Sequence, residues 1–183
     1  SLTGPGGGDP YRLGVAIADI TAGMFASQGI ALDRLARERS GKGQFVDIGM
    51  LDSVASLLTY QAGIYFTTGR TPTRMGNQHP SIAPYDTVAA EDGTLVLAVG
   101  NDGQFAKFSA VLGHGEWATD PRFTKNPDRI GNRDALDDLI KAELQREGAE
   151  SWITKLMAAG VPCGRINSVA QAQSDTVVIM RSI

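Results

Sequence analysis

The sequence predicts an α/β protein with two unequal parts, and three observations lead to that prediction. Apolar residues recur with a helical period over much of residues 12–68. Residues 85–99 instead form two β-prone runs around an Asp-Gly turn, which is a strong hairpin signal. Between these stretches, residues 70–84 contain three prolines and several polar residues, as expected of a linker or a functional loop. We therefore assign 1–69 to a helix-strand-helix part of one domain and 70–183 to a small α+β domain.

The first helical pattern covers residues 12–39 and ends in Ser40-Gly41-Lys42-Gly43. Gly14, Gly23 and Gly29 lie inside it. Each glycine weakens a helix by about 1 kcal/mol relative to alanine. Close packing against a neighbouring element would offset that loss, so we expect this helix to be buried.

Two further elements complete the first part. Residues 44–50 alternate between apolar and polar side chains, which predicts a short strand. Residues 51–68 carry an apolar stripe at helical spacing, and Gly69 follows at the position where a helix commonly ends. We expect a second helix there.

The second part begins with the hairpin, whose strands run over 85–89 and 95–99 with Asp92 and Gly93 in the turn. A helix over 104–112 is expected next, capped by Asn101 or Asp102. The remaining expectations are a turn over 120–123, helices over 132–147 and 150–159, an extended segment over 161–166, and a helix beginning within 168–172.

Composition limits the classes of function. Hydrophobic residues make up 42% of the 183 residues and charged residues 20%, an ordinary globular balance. The net charge of −3 provides no electrostatic surface for nucleic acid. No stretch approaches the roughly 18 apolar residues that span a bilayer. We expect neither nucleic acid nor a membrane as a partner.

The single cysteine, Cys163, rules out an internal disulfide and fits a reducing cytoplasm. The chain begins at Ser1 without a charged-then-apolar order, so no signal peptide is expected. The missing start Met indicates that the chain is cut from something larger.

Familiar cofactor motifs are absent from the sequence. The glycines of residues 4–8 lack the Lys and Ser or Thr of a phosphate-binding loop, and residues 41–44 follow a helix instead of preceding one. There is no C-x-x-C and no H-E-x-x-H, so no metal site is expected.

The most informative segment is Gly76-Asn77-Gln78-His79-Pro80, directly before the hairpin. A glycine, two side-chain amides and a histidine make this loop rich in hydrogen-bond donors and able to approach a ligand closely. The residues alone leave two alternatives open, a ligand-binding loop and an ordered linker without a ligand.

Other polar residues have simpler interpretations. His114 lies between two glycines, which predicts a solvated turn residue, and Cys163 has no neighbouring base, which predicts a structural thiol. Asp19 and Asp52 lie in apolar helices. Each is a candidate general base, a cap for a neighbouring loop, or a partner of Arg12 or Arg37. Asp9 is most simply a turn former.

Three ordered blocks of the chain resemble the family III CoA-transferases, also called the CaiB/BaiF family. The blocks cover residues 1–54, 74–113 and 120–169, the second of them beginning RMGNQHPSIAPYDTV. In the first block, the residues that match the family are Thr3, Gly4, Pro10, Arg12, Gly14, Ala18, Asp19, Gly23, Leu32, Arg39, Gly41, Gly43, Gln44, Val46, Asp47 and Asp52.

The resemblance implies a fold and a reaction. Family members have a large Rossmann-like α/β domain and a smaller α+β domain, and two subunits interlock like links of a chain. Acyl-CoA and a carboxylic acid are the substrates, and no prosthetic group is used. An aspartate of the large domain forms a mixed anhydride and then an aspartyl-CoA thioester.

The resemblance also places the nucleophile outside this chain. It lies just upstream of the segment that matches Ser1-Leu2-Thr3-Gly4, so no catalytic residue is expected here. The chain would be a fragment that lacks the N-terminal part and the C-terminal end, with 70–183 including the start of a return linker. The substrate-covering loop corresponds to residues 76–80, although these depart from the polyglycine form of some members.

Three functions stay open at this point. The first is an acyl-CoA:carboxylate CoA-transferase, and the second is an acyl-CoA racemase of the same superfamily. The third is a non-catalytic domain with a structural or dimerisation role.

Overall fold

The computed structural model describes residues 2–174. The chain divides into two compact units, Ser1–Gly76 and Asn77–Ile183. The assignment of 1–69 and 70–183 to separate domains stays a prediction.

Unit 1 begins with helix α1, Ile17–Ser40. The helix starts five residues later than the pattern predicts, since Gly14 is a poor helix former at the expected first turn. It ends as predicted at Gly41, which has a φ of 70° and donates its N–H to the carbonyl of Arg37 at 2.8 Å.

The prediction that α1 is buried is wrong. Thr21 is its one buried residue, because the helix packs mainly on the short helix Met50–Ala55, and most of its apolar side chains remain exposed. Of the three glycines, Gly29 does allow a close approach, since a Cβ there would lie 2.8 Å from Val46 Cγ1. The exposed large apolar residues of α1 are Ile20, Met24, Phe25, Ile30, Leu32 and Leu35.

The predicted strand over 44–50 is also wrong. Residues 44–49 are irregular, because a strand needs a paired neighbour and the sheet described here lies entirely in the other unit.

The helix predicted over 51–68 is interrupted. It forms as α2, Met50–Ala55, then a 3₁₀ turn over Ser56–Leu58, then α3, Thr59–Thr68. The hydroxyls of Ser53 and Ser56 bond to nearby backbone carbonyls at 2.8 and 2.7 Å, and such bonds compete with helix geometry. The predicted cap at Gly69 is confirmed by its φ of 70° and its bond to the Tyr65 carbonyl at 2.8 Å.

Unit 2 contains an antiparallel sheet in the order β1-β2-β3. Strands β1, Tyr85–Ala89, and β2, Thr94–Ala98, form the predicted hairpin, which the Ala90 N–H closes by donating to the Gly93 carbonyl at 2.7 Å. Strand β3, Cys163–Arg165, pairs with β2 and lies inside the segment predicted to be extended.

Five helices of unit 2 are described. The Asn101 side chain caps α4 by accepting from the Gln104 N–H at 2.9 Å. A short 3₁₀ turn follows at Gly115–Ala118. None of the helices within residues 2–174 is both long enough and apolar enough to cross a membrane. The helices are α4, Asp102–Val111; α5, Asn126–Gly131; α6, Arg133–Leu144; α7, Ala149–Ala158; and α8, Val169–Ser174.

One apolar core joins these elements, because α6 and α7 pack on the sheet and α4 packs on α7. Its fully buried side chains come from β2, from three helices and from three loops. They include Leu95, Leu97, Val99, Phe105, Phe108, Phe123, Leu136, Ile140, Leu144, Leu156 and Val161.

A charged side chain, Arg129 of α5, is fully buried beside this core. Its guanidinium donates to the carbonyls of Ala83 at 2.7 Å and Phe123 at 2.9 Å, and to a carboxylate oxygen of Asp102 at 2.9 Å. It also lies 4.4 Å from the centre of the Phe105 ring. The bond from Arg129 lowers the pKa of Asp102. Arg129 therefore ties the segment that enters β1 to helix α4.

We expect Arg129→Ala to destabilise unit 2 by about 3 kcal/mol, because it leaves buried acceptors without their donor. Both tryptophans, Trp117 and Trp152, lie in this unit, so urea unfolding followed by fluorescence measures the loss. Arg122→Ala is the control, since its ion pair with Asp120 is largely exposed and exposed ion pairs contribute little to stability. Equal effects of the two substitutions would contradict the assigned role.

Candidate functional site

The loop over residues 76–80 begins at the last residue of unit 1. Gly76 has a φ of 64°, a conformation that favours glycine, and its N–H donates to the Gly4 carbonyl at 3.0 Å. This backbone amide is therefore used within unit 1.

The two side-chain amides of the loop bond to regular elements of unit 2. Asn77 Nδ2 donates to Thr87 Oγ1 of β1 at 2.8 Å, and Gln78 Nε2 donates to Asp137 Oδ2 of α6 at 3.1 Å. Each amide nitrogen carries two hydrogens, so each retains a second N–H beyond these bonds.

His79 is held by its backbone and by its ring. Its N–H donates to the Tyr85 carbonyl at 3.1 Å, and its ring stacks on the Tyr85 ring at 5.2 Å. Nδ1 accepts the Ser81 N–H at 3.2 Å, which places the proton of the neutral ring on Nε2. Burial, and then the positive charge of Arg133, lower the pKa of His79, so the ring is neutral near pH 7.

Helix α5 holds the chain that follows the half-buried Pro80. Asn126 Nδ2 donates to the Ser81 carbonyl at 2.8 Å, and Asn126 Oδ1 accepts the Ala83 N–H at 3.1 Å. The peptide bond between Ala83 and Pro84 is cis. Together with Arg129, Asn126 fixes the path from the loop into β1.

The loop therefore combines a left-handed glycine, two anchored amides and a neutral, stacked histidine. Comparison with known proteins assigns the chain to a family, because a sequence model described as CoA-transferase family III matches residues 1–183. The chain belongs to CoA-transferase family III. The predicted membership is thereby confirmed.

Two relatives illustrate the match to family III. The chain is 37% identical to a succinate–glutarate CoA-transferase of Agrobacterium fabrum, over all of this chain and 46% of that protein. It is 40% identical to an acetyl-CoA:oxalate CoA-transferase of Acetobacter aceti, over 93% of this chain and 44% of that protein. The chain thus spans about half the length of these relatives.

A solved structure shows the same fold. A CaiB/BaiF family protein from Brucella suis superposes with a TM-score of 0.80 at 41% identity, covering 98% of this chain and 48% of that one. The predicted α/β class is confirmed, because the chain combines helices with a small antiparallel sheet.

Sequence reasoning missed the residues of this family III chain that hold the loop, which are Asn126, Arg129, Arg133 and Asp137. A signal for α5 was available, since Pro127 lies in the first turn and Asp128 bonds to the backbone N–H of Lys125 at 3.2 Å, as at many helix starts. No sequence signal indicates that Gln78 faces a residue 59 positions later.

The other carboxylate candidates do not form a site with the loop. Asp9, Asp19 and Asp52 are exposed, and within residues 2–174 neither Asp19 nor Asp52 pairs with Arg12 or Arg37. Asp52 lines an open groove of about 420 Å³ in unit 1, together with Asp47 and residues of α1.

Cys163 has the environment of a structural thiol. It is half-buried in β3, its Sγ lies 3.8 Å from the Ile153 carbonyl oxygen, and burial raises its pKa. A raised pKa lowers the thiolate fraction that a nucleophile would need.

The prediction that His114 is a solvated turn residue is wrong. The side chain is partly buried, with Nδ1 2.8 Å from Glu116 and Nε2 3.0 Å from Glu143, and its ring stacks on Trp117 at 4.5 Å. Glu143 also pairs with Arg146 at 2.8 Å. The hydrogen bond to Glu116, followed by that to Glu143, raises the pKa of His114.

His114 should therefore make stability depend on pH. Its folded pKa lies above 6.5, so its stabilisation is fully present below that pH and is lost as pH rises through the folded pKa. We expect His114→Gln to lower the urea midpoint more at a pH of about 5.5 than at about 9. His79→Gln is the control. Because the pKa of His79 is lowered, this substitution should lower the urea midpoint less at the lower pH than at the higher one. A pH-independent effect of His114→Gln would refute the ion-pair role.

Proposed function

We propose that the complete protein is an acyl-CoA:carboxylate CoA-transferase with CoA thioesters as substrates and no prosthetic group. The match of the family model to residues 1–183 carries this proposal. The two relatives described above, named for transfer between succinate and glutarate and between acetyl-CoA and oxalate, support it. Their names favour small dicarboxylic acids as acceptors.

The proposed reaction proceeds through covalent intermediates on an aspartate that precedes residue 1. The carboxylate attacks the acyl-CoA carbonyl and expels CoA thiolate, which leaves a mixed anhydride. The thiolate then attacks the aspartyl carbonyl, releases the first acid and forms an aspartyl-CoA thioester. The acceptor acid attacks that thioester and expels CoA thiolate, which leaves a second mixed anhydride. The thiolate then attacks the acceptor's carbonyl, which forms the new acyl-CoA and frees the aspartate. Each difficult displacement is divided into easier ones.

Four aspartates within residues 2–174 have environments that support a nucleophile outside this part of the chain. Asp9, Asp19 and Asp52 are exposed, whereas a nucleophile has to be held near the thioester carbonyl at about 3 to 3.5 Å. Asp137 is half-buried with a raised pKa, which disfavours the ionised form that would attack.

In this proposal the loop over 76–80 closes over the aspartate, excludes water and donates hydrogen bonds to the oxyanions. The N–H groups of Gly76 and His79 already bond within the protein, so they are not the donors. The second N–H groups of the Asn77 and Gln78 side chains are suited to that role.

The proposed assembly follows the same resemblance. Residues 1–69 would belong to a large Rossmann-like domain and 70–183 to the small domain, in an interlocked homodimer located in the cytoplasm. The exposed apolar side chains of α1 support a further covering layer, since large exposed patches usually mark contact surfaces.

The test of function is transfer by the complete gene product. We expect CoA transfer from succinyl-CoA or acetyl-CoA to at least one of glutarate, oxalate and succinate, measured by chromatography of the CoA esters. The 183-residue chain alone should transfer none, because it lacks the proposed nucleophile. Transfer by this chain alone would overturn the assignment, and inactivity of the complete protein with every pair would count against the function.

The loop has a test of its own. Asn77→Ala in the complete protein should lower kcat by about 10²- to 10³-fold, the usual effect of losing one oxyanion donor, with a smaller change in acyl-CoA binding. Gln173→Ala, an exposed amide on α8, is the matched control and should change neither. If Asn77→Ala turned over at the normal rate, Asn77 would have no part in the mechanism.

A further inference from the structure

Helix α6 contacts the loop over 76–80 at two successive residues. Arg133 Nη2 donates to the His79 carbonyl at 2.8 Å, and Asp137 accepts from Gln78 Nε2 at 3.1 Å. Arg133 and Asp137 are four residues apart and therefore lie on one face of the helix. Both bonds involve a charged group, and such bonds are stronger than neutral ones.

Asp137 occupies an unfavourable place for a negative charge. The residue is half-buried, Asp86 of β1 and Asp134 of α6 repel its charge, and Lys141 and Arg133 attract it. Burial, and then Asp86, raise the pKa of Asp137. The ionised carboxylate therefore lowers the stability of the folded chain, because its folded pKa lies above the unfolded value. Residues that lower stability in this way are typical of functional sites.

We propose that Arg133 and Asp137 are positioning residues, which hold His79 and Gln78 in the arrangement that the loop uses on its substrate. This proposal rests on the transferase function and on the loop role proposed above. It assigns to α6 a part in catalysis that acts through the loop.

The physical effect is on the orientation of one amide. Asp137 accepts one of the two Nε2 hydrogens of Gln78, which fixes the side-chain rotamer and thereby the direction of the other N–H. Arg133 fixes the backbone carbonyl of the next residue, His79, so the pair restrains both the side chain and the main chain. Preorganised donors of this kind need no reorganisation as charge develops.

The test uses the complete protein with substitutions at both ends of the bond. Asp137→Ala should lower kcat by about 10- to 100-fold with little change in KM for acyl-CoA, as expected when a group is misplaced by about 1 Å. Asp137→Asn retains an acceptor for Gln78 and should restore most of that loss. Its thermal midpoint at neutral pH should equal or exceed that of the wild type, because the repulsion with Asp86 is removed.

A double-mutant cycle distinguishes positioning from an unrelated defect. Gln78→Ala should lower kcat, and adding Asp137→Ala should cause no further loss. Asp138→Asn, an exposed carboxylate next to Asp137 on α6, is the control and should leave kcat unchanged.

The outcomes separate this proposal from the function on which it rests. A wild-type protein without CoA transfer would overturn the function. If the wild type is active, a normal kcat for Asp137→Ala would overturn the positioning role alone. So would a double variant in which the losses of kcat from Gln78→Ala and Asp137→Ala multiply. Hydrogen exchange of the peptide containing residues 76–80 gives a readout independent of activity. Asp137→Ala should accelerate it, and unchanged exchange would also refute the role.

Discussion

The buried guanidinium of Arg129 is the interaction on which the arrangement of unit 2 depends. Its donors bond to the carbonyls of Ala83 and Phe123 and to the carboxylate of Asp102, which belong to three separate segments. A fully buried charge is tolerated only when its hydrogen bonds are satisfied, so these segments have to meet at one point. The entry to β1, the start of α4 and the turn before α5 therefore share one electrostatic constraint.

The candidate loop depends on this constraint through its neighbours. Three side chains on the consecutive helices α5 and α6 each donate to a backbone carbonyl within residues 79–83. They are Asn126, Arg129 and Arg133. The loop is thus restrained by helices that follow it in sequence by about 50 residues, although it has no regular structure itself. Rigid helices that support a loop are a common way to combine an irregular backbone with a defined geometry.

Local signals predicted the elements whose causes are local. The hairpin follows from Asp92-Gly93, the α4 cap from Asn101, and the helix ends at Gly41 and Gly69 from the conformational freedom of glycine. The strand expected over 44–50 is not formed, because pairing depends on distant residues.

Dependence on distant residues also limits what the sequence predicts of the candidate site. The loop was singled out by its residue types, but Asp137 was missed because its bond to Gln78 spans 59 positions. One of the two carboxylates that bond to His114, Glu143, likewise lies far from it in sequence, on α6.

The contacts between the loop and β1 also protect an edge of the sheet. Strand β1 is one of the two outer strands, and without these contacts its Tyr85 and Ala89 carbonyls would be open to pairing with another chain. The His79 N–H donates to the Tyr85 carbonyl at 3.1 Å, and Asn77 bonds to the side chain of Thr87. Gln145 Nε2, just after α6, donates to the Ala89 carbonyl at 3.0 Å. These contacts occupy acceptors that a strand of another chain would use, so the loop covers part of this edge independently of any role in activity.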